Sequence, residues 1–137
     1  MSNIFLDHFI EAHQAQADDA LNELTQGQKK THWMWFMFPI IQGLGKSDTA
    51  QYYAIENIDE AKAFIDHPYL GDNYKNCLEA VLGHQDKTTR IIFNSKIDDW
   101  KFRSSLTLFR HLPSDNSVSG NIQRCLKHFY NNEPCSK

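Results

Sequence analysis

The sequence lacks the features that mark disulfide-bonded, secreted or membrane proteins. Its three cysteines, Cys77, Cys125 and Cys135, are odd in number and show no CxxC pairing, so a disulfide framework is not expected and a reducing compartment fits best. No apolar run approaches the roughly 18 residues of a membrane span. Asp7 and His8 interrupt the N-terminal segment, where a signal peptide would be apolar. We therefore predict a cytoplasmic protein with no membrane partner.

An excess of positive charge is also lacking. The chain has 14 Lys and Arg against 17 Asp and Glu, a formal net charge of −3, with both signs spread along its length. This distribution supplies no electrostatic reason to bind nucleic acid, which is not an expected partner. The seven histidines never occur at i, i+4 or in paired Cys/His spacing. We predict no metal site, and no dinucleotide, Walker or nucleophile-elbow motif implies a cofactor.

What the sequence does contain is the composition of a folded domain with helical periodicity. Apolar residues make up 41% of the 137 residues and charged residues 23%, which is typical of a globular protein. Apolar side chains recur at steps of three and four almost everywhere. The predicted fold is all-α: a compact single-domain bundle of about six or seven helices over residues 1–130, followed by a polar tail over residues 131–137.

Capping and stop signals place the predicted helices along the chain. They run from Phe5 to Leu24 with a stop at Gly27, from Thr31 to Phe38, after Ser47, from Asn57 to His67, from Leu70 to Leu82 with a stop at Gly83, from Thr88 to Phe93, from Asp98 or Asp99 to Leu112, and from Val118 to Phe129. Thr31 is the predicted cap of the second helix, and Asp98 or Asp99 that of the seventh. The apolar run after Thr31 is equally compatible with a buried strand.

The densest aromatic segment of the chain lies between Lys29 and Gly45. If it is helical, Trp33 and Phe36 share one face and Trp35 lies on another, so one tryptophan can serve the core and leave the other for a ligand. A flat indole surface can stack on a base or a similar ring. His32, at the edge of this run, is the candidate general acid or base, although a structural histidine is the commoner role.

A second group of polar residues occurs at helical spacing near the C-terminal end. Lys101, Ser104 and Ser105 stand at i, i+3 and i+4, so their side chains can approach one point in space. An ammonium beside two hydroxyls is suited to a phosphate or a carboxylate. A Ser-Lys nucleophile is a second interpretation, and close helix packing through small residues is a third.

Several segments together resemble one known family. They are Lys30 to Pro39, Gly43 to Ser47, Ala61 to Gly71, Ile92-Phe93 and Lys101 to Phe109. The chain resembles the domain of unknown function 1810 family over most of its length. The resemblance implies a compact, all-helical, single-domain fold and implies no activity. Some members carry the label calpastatin, which we set aside because a calpain inhibitor of that name is a disordered repeat protein.

Two functional hypotheses and one structural alternative follow from these patterns. The first is a small-molecule-binding domain for a phosphate-bearing or nucleotide-like ligand, with Trp33 and Trp35 as one wall and Lys101, Ser104 and Ser105 as its anion-binding end. Whether such a domain is also an enzyme is left open. The alternative is a protein-interaction module without catalytic activity, suggested by Tyr52, Tyr53 and Tyr69. In the third interpretation both groups serve packing only.

Overall fold

Seven α-helices lie in residues 6–41, 52–110 and 117–130, which are the parts of the chain that the computed structural model describes. They are α1 (Asp7–Gln26), α2 (Met34–Met37), α3 (Ile58–Asp66), α4 (Pro68–Leu82), α5 (Thr89–Phe93), α6 (Lys96–Arg110) and α7 (Ser117–Tyr130). The prediction of an all-α, single-domain fold is confirmed. The predicted helix after Ser47 lies outside the described residues up to residue 51, and Tyr53 and Ala54, which it was expected to include, are not helical. The polar tail also lies outside the described residues.

Most helix boundaries follow from local chemistry. α1 ends where Gly27 adopts a left-handed conformation with φ of 89°, which costs glycine little. The Asn57 side chain caps α3 by accepting a hydrogen bond from the backbone N–H of Glu60 at 2.9 Å. His67 ends α3, and its ring accepts from the Tyr69 N–H at the start of α4, with Pro68 in the first turn.

Two predicted caps are wrong. Thr31 does not cap α2, because its hydroxyl donates to the Glu23 carboxylate at 2.6 Å and the helix begins later, after Trp33. Neither Asp98 nor Asp99 caps α6. The cap is Ser95, whose hydroxyl accepts from the N–H groups of the second and third helical residues, both at 3.2 Å. The displaced aspartates lie in the first turn, where negative charge is favoured.

The core is built from edge-to-face aromatic contacts around Phe38. Its ring meets those of Phe102, Tyr74 and Phe93 with centroid separations of 5.0, 5.4 and 5.8 Å, at interplanar angles of 87°, 65° and 84°. Such geometries are the favoured ones for aromatic pairs. The four rings come from α4, α5, α6 and the residue that follows α2, so one cluster joins distant parts of the chain.

Helix packing brings the aromatic run beside Lys101. The described contacts pair α1 with α4, α4 with α7, α6 with α7, and α3 with α4. The short helix α2 contacts both α1 and α6. Because α2 carries Trp35 and α6 carries Lys101, the two sequence motifs become neighbours in the fold.

Candidate functional site

Trp33 belongs to the interior of the protein. Its side chain has no exposed surface, and its indole N–H donates to Glu23 Oε1 at 3.0 Å. The same carboxylate accepts from the backbone N–H groups of Lys30 and Thr31 at 2.6 and 2.9 Å. Burial alone would raise the pKa of Glu23, but the hydrogen bonds from Thr31, Lys30 and Trp33 outweigh it and lower that pKa. The arrangement fixes the chain that leads into α2.

Trp35 has very different surroundings, although it follows Trp33 by two residues. Its side chain is partly exposed, and the ammonium of Lys101 lies 4.2 Å from the centroid of its ring. This is close enough for a cation–π interaction. The indole Nε1 is buried and has no hydrogen-bond partner within the described ranges. A buried N–H donor without a partner is uncommon in folded proteins.

A second lysine and one aspartate complete this cluster. Lys29 Nζ lies 3.0 Å from Asp98 Oδ2, and Lys101 Nζ lies 3.9 Å from Asp98 Oδ1. The side chains of Lys29, Lys101 and Asp98 are 8%, 12% and 16% exposed, so all three charges are largely withdrawn from water. We call Lys29, Trp35, Asp98 and Lys101 the Trp35–Lys101 cluster.

Two ammonium groups share one carboxylate in this cluster, and the pKa of Lys101 is lowered from its usual value. Burial lowers the pKa of Lys101, and the nearby charge of Lys29 lowers it further, whereas Asp98 partly opposes the shift. The shorter of the two ion pairs belongs to Lys29. The carboxylate therefore compensates Lys101 less fully, and an additional negative group beside Lys101 would stabilise its charged form.

The other predicted site residues lie elsewhere. Ser105 is fully buried, and its hydroxyl shares a hydrogen bond of 3.0 Å with the Tyr74 hydroxyl in the core. Ser104 is also buried, and His32 is exposed in the bend before α2. Lys101 turns toward Asp98 and Trp35, so the helical spacing of the lysine and the two serines does not by itself define a common site.

Comparison with known proteins assigns a family. The chain matches the family described as "Protein of unknown function (DUF1810)" over residues 3–137. It belongs to this family. A solved structure, that of the conserved hypothetical protein Rv1873 from Mycobacterium tuberculosis, is similar at 32% sequence identity with a TM-score of 0.87, covering 94% of this chain and 89% of that one. No match was found among proteins of curated function.

The sequence patterns did not identify three residues that lie at or near the candidate site. Glu23 is a charged residue at the edge of the apolar stripe of α1, and Lys29 follows the helix stop at Gly27. Asp98 was assigned to a cap. The available signal was the i, i+3 spacing of Asp98 and Lys101, which places opposite charges on one helical face. Nothing in the spacing connects either of them with Lys29.

Two cysteines, Cys77 and Cys125, lie buried in the described part of the chain. Burial raises the pKa of both Cys77 and Cys125 to about 12, so these thiols remain protonated and unreactive near neutral pH. Among the described residues, no group of three or more His, Cys, Asp or Glu is placed to hold a metal ion. In the same ranges, no helix combines the length and apolarity that crossing a bilayer requires.

Proposed function

We propose that the protein binds a small phosphate-bearing ligand at the Trp35–Lys101 cluster. The observation that carries the proposal is the pair of largely buried lysines that share one carboxylate, beside an indole N–H that has no hydrogen-bond partner among the described residues. Lys29, Asp98 and Lys101 together carry one net positive charge in a site with little access to water. An anion is the ligand that this excess favours.

Trp35 contributes a hydrogen-bond donor more readily than a stacking surface. One face of its ring is already covered by the Lys101 ammonium at 4.2 Å. The Nε1–H, which no described residue bonds, lies at the edge of the same ring. An anionic oxygen that bonds both the ammonium and this N–H would satisfy both groups, so the phosphate of a nucleotide-like ligand is expected to contribute more affinity than its base.

The site supports binding more directly than catalysis. His32 is exposed, so it stays a candidate for acid–base chemistry only if a bound ligand reaches it. Ser105 is occupied with Tyr74 in the core and is not part of the proposed site. For the alternative, an interaction module, Tyr52 is 63% exposed and Tyr69 38%, but single exposed aromatics are ordinary on a protein surface.

Isothermal titration with inorganic phosphate, AMP and adenosine tests the proposal. We expect phosphate and AMP to bind and adenosine to bind at least about tenfold more weakly than AMP, because the charged hydrogen bonds supply the affinity. Lys101→Met should weaken AMP binding by about 10- to 100-fold. Trp35→Phe keeps an aromatic ring but removes the N–H donor, and should weaken binding by about 3- to 10-fold.

Lys62→Met is the matched control, since Lys62 is an exposed lysine paired with Asp66 on α3. It should leave every affinity unchanged, apart from a small general effect of net charge that salt removes. The proposal is wrong if Lys101→Met and Lys62→Met bind AMP equally well. It is equally wrong if the unmodified protein binds neither phosphate nor AMP at millimolar concentration, or binds adenosine as tightly as AMP.

A further inference from the structure

A pocket lies between α1 and the aromatic residues Tyr52 and Tyr53. It has a volume of about 310 Å³, at the lower end of the range for small-molecule sites. Its principal lining residues are His8, Glu11, Gln16, Phe36, Tyr52 and Tyr53. None of the four residues of the Trp35–Lys101 cluster lines it. The pocket is therefore separate from the anion site proposed above.

Aromatic rings form much of this pocket. The His8 ring is stacked on Tyr53 with centroids 5.3 Å apart at 24°, and it meets Tyr52 at 4.9 Å and 60°. Tyr52 and Tyr53 are 4.8 Å apart and nearly perpendicular, and Phe36 meets Tyr53 at 5.4 Å. These rings contact one another and line the same pocket. Ring faces attract a cation through their quadrupoles.

His8 lines this pocket, and one of its ring nitrogens has no hydrogen-bond partner in the described ranges. This nitrogen, Nε2, is buried. A hydrogen bond to the Tyr52 backbone favours the charged His8 ring. Because Nε2 has no partner in the described ranges, we assign the donor of this bond to Nδ1. Burial nevertheless lowers the pKa of His8. In the neutral ring Nε2 then carries a lone pair and can only accept.

The described charged groups that act on His8 and Tyr53 from other side chains are carboxylates. Asp7 and Glu60 act on His8, and Glu11 acts on Tyr53, whose pKa is raised by burial first and then by Tyr52 and Glu11. Glu11 itself lines the pocket and is exposed. These acidic groups repel an anion and attract a cation. The sign is opposite to that of the Trp35–Lys101 cluster.

We propose that this pocket binds a small organic cation carrying N–H donors, of the guanidinium or alkylammonium class. Three features select this chemistry together. The rings of His8, Tyr52 and Tyr53 favour a cation, Glu11 balances its charge, and His8 Nε2 accepts one of its N–H groups. A quaternary ammonium would satisfy the first two features but leave the buried Nε2 without a donor.

Titrations with matched cations test this proposal. Butylguanidinium, butyltrimethylammonium and butanol share an alkyl chain and differ in charge and in N–H donors. Followed by backbone amide NMR shifts, butylguanidinium should perturb residues around His8 and Tyr53 and bind about tenfold more tightly than butyltrimethylammonium. Butanol should not bind.

The peptide acetyl-Gly-Arg-Gly-amide distinguishes two sources of the cation. An affinity equal to that of butylguanidinium supports an arginine side chain as the ligand, and weaker binding supports a free cation.

Two variants separate the contributions. His8→Phe keeps an aromatic ring and removes the acceptor, and should weaken butylguanidinium binding by about tenfold while leaving butyltrimethylammonium binding nearly unchanged. Glu11→Gln changes an exposed position outside the core and should weaken the binding of both cations by about 2- to 5-fold. The controls are His84→Phe and Glu79→Gln, which lie outside the pocket.

Three results would overturn the proposal. The first is equal affinity of the unmodified protein for butylguanidinium and butyltrimethylammonium, since the His8 acceptor would then be unused. The second is an unchanged butylguanidinium affinity in both His8→Phe and Glu11→Gln. The third is an unmodified protein whose NMR shifts do not respond to butylguanidinium. If His8→Phe fails to fold, the Glu11→Gln variant and the comparison of the two cations with the unmodified protein still test the proposal.

Discussion

Two tryptophans and two histidines of this protein lie close in sequence yet have opposite surroundings. Trp33 is sealed in the interior with its N–H bonded to Glu23, whereas Trp35 is partly exposed and its N–H lacks a partner among the described residues. His13 donates from Nε2 to the Phe36 carbonyl at 2.8 Å and accepts at Nδ1 from Asn73 at 2.9 Å. His8 lies on the same helix, and its Nε2 has no hydrogen-bond partner in the part of the chain that the structure describes.

The contrast teaches that residue type and local sequence do not separate a structural side chain from a binding one. A buried polar atom whose hydrogen-bond partners are in place stabilises the fold, and it has no free hydrogen-bonding capacity for a ligand. A buried polar atom without a partner carries a desolvation cost that a ligand can relieve. Trp33 and His13 are of the first kind, and Trp35 and His8 of the second. This difference predicts separable effects on stability and on binding.

The largest expected effect concerns the two tryptophans. Trp33→Ala should lower the free energy of unfolding by about 3–5 kcal/mol, because it removes a fully buried aromatic side chain and strips Glu23 of one donor. Trp35→Ala should cost less than half as much, since its ring is partly exposed. Urea denaturation of the two variants at neutral pH measures both values. Equal losses would break the distinction between them.

The next effect is a dependence of stability on pH that originates in His13. Burial lowers the pKa of His13 to about 4, below the roughly 6.5 of an unfolded histidine. Between these two pH values His13 is protonated in the unfolded chain but not in the native protein. Its contribution to the free energy of unfolding is therefore fully present above about pH 6.5 and falls as the pH is lowered toward 4. The loss from this residue should reach about 3 kcal/mol.

His13→Gln tests this assignment through a difference of slopes. The variant is less stable at pH 7 but has no titrating group at this position. Between pH 7 and pH 4 its free energy of unfolding should therefore fall by about 3 kcal/mol less than that of the unmodified protein. From pH 7 to pH 9 the two proteins should change in parallel. Denaturation curves at each pH provide the comparison. If both proteins lose the same stability on acidification, His13 is not the group responsible.

How much of this organisation follows from sequence can be judged from particular residues. The helical class and most boundaries were predictable, because caps such as Asn57 and stops such as Gly27 act within one turn. The caps at Thr31, Asp98 and Asp99 were mispredicted for two different reasons. The Thr31 hydroxyl bonds the carboxylate of Glu23, which belongs to the preceding helix. Ser95 caps α6 locally, because it comes before both aspartates in the chain.

The candidate site was predictable only in part. The helical pattern indicated that one of the two tryptophans sufficed for the core, and Lys101 was singled out as a cation. The contact between Trp35 and Lys101 depends on how α2 packs against α6, and Lys29 joins them from a loop after α1. Such pairings between distant segments leave no trace in local periodicity. The same holds for Ser105, whose helical spacing with Lys101 concealed its bond to Tyr74.

The indole N–H signals of the tryptophans test the anion site most directly. In a ¹H–¹⁵N NMR titration of the unmodified protein with AMP, the Trp35 signal should shift progressively and saturate, because a phosphate oxygen accepts its hydrogen bond, while the Trp33 signal, bonded to Glu23, stays in place. In Lys101→Met the Trp35 shift should require at least about tenfold more AMP. A Trp35 signal that does not move, or that moves equally in Lys101→Met, would contradict the account.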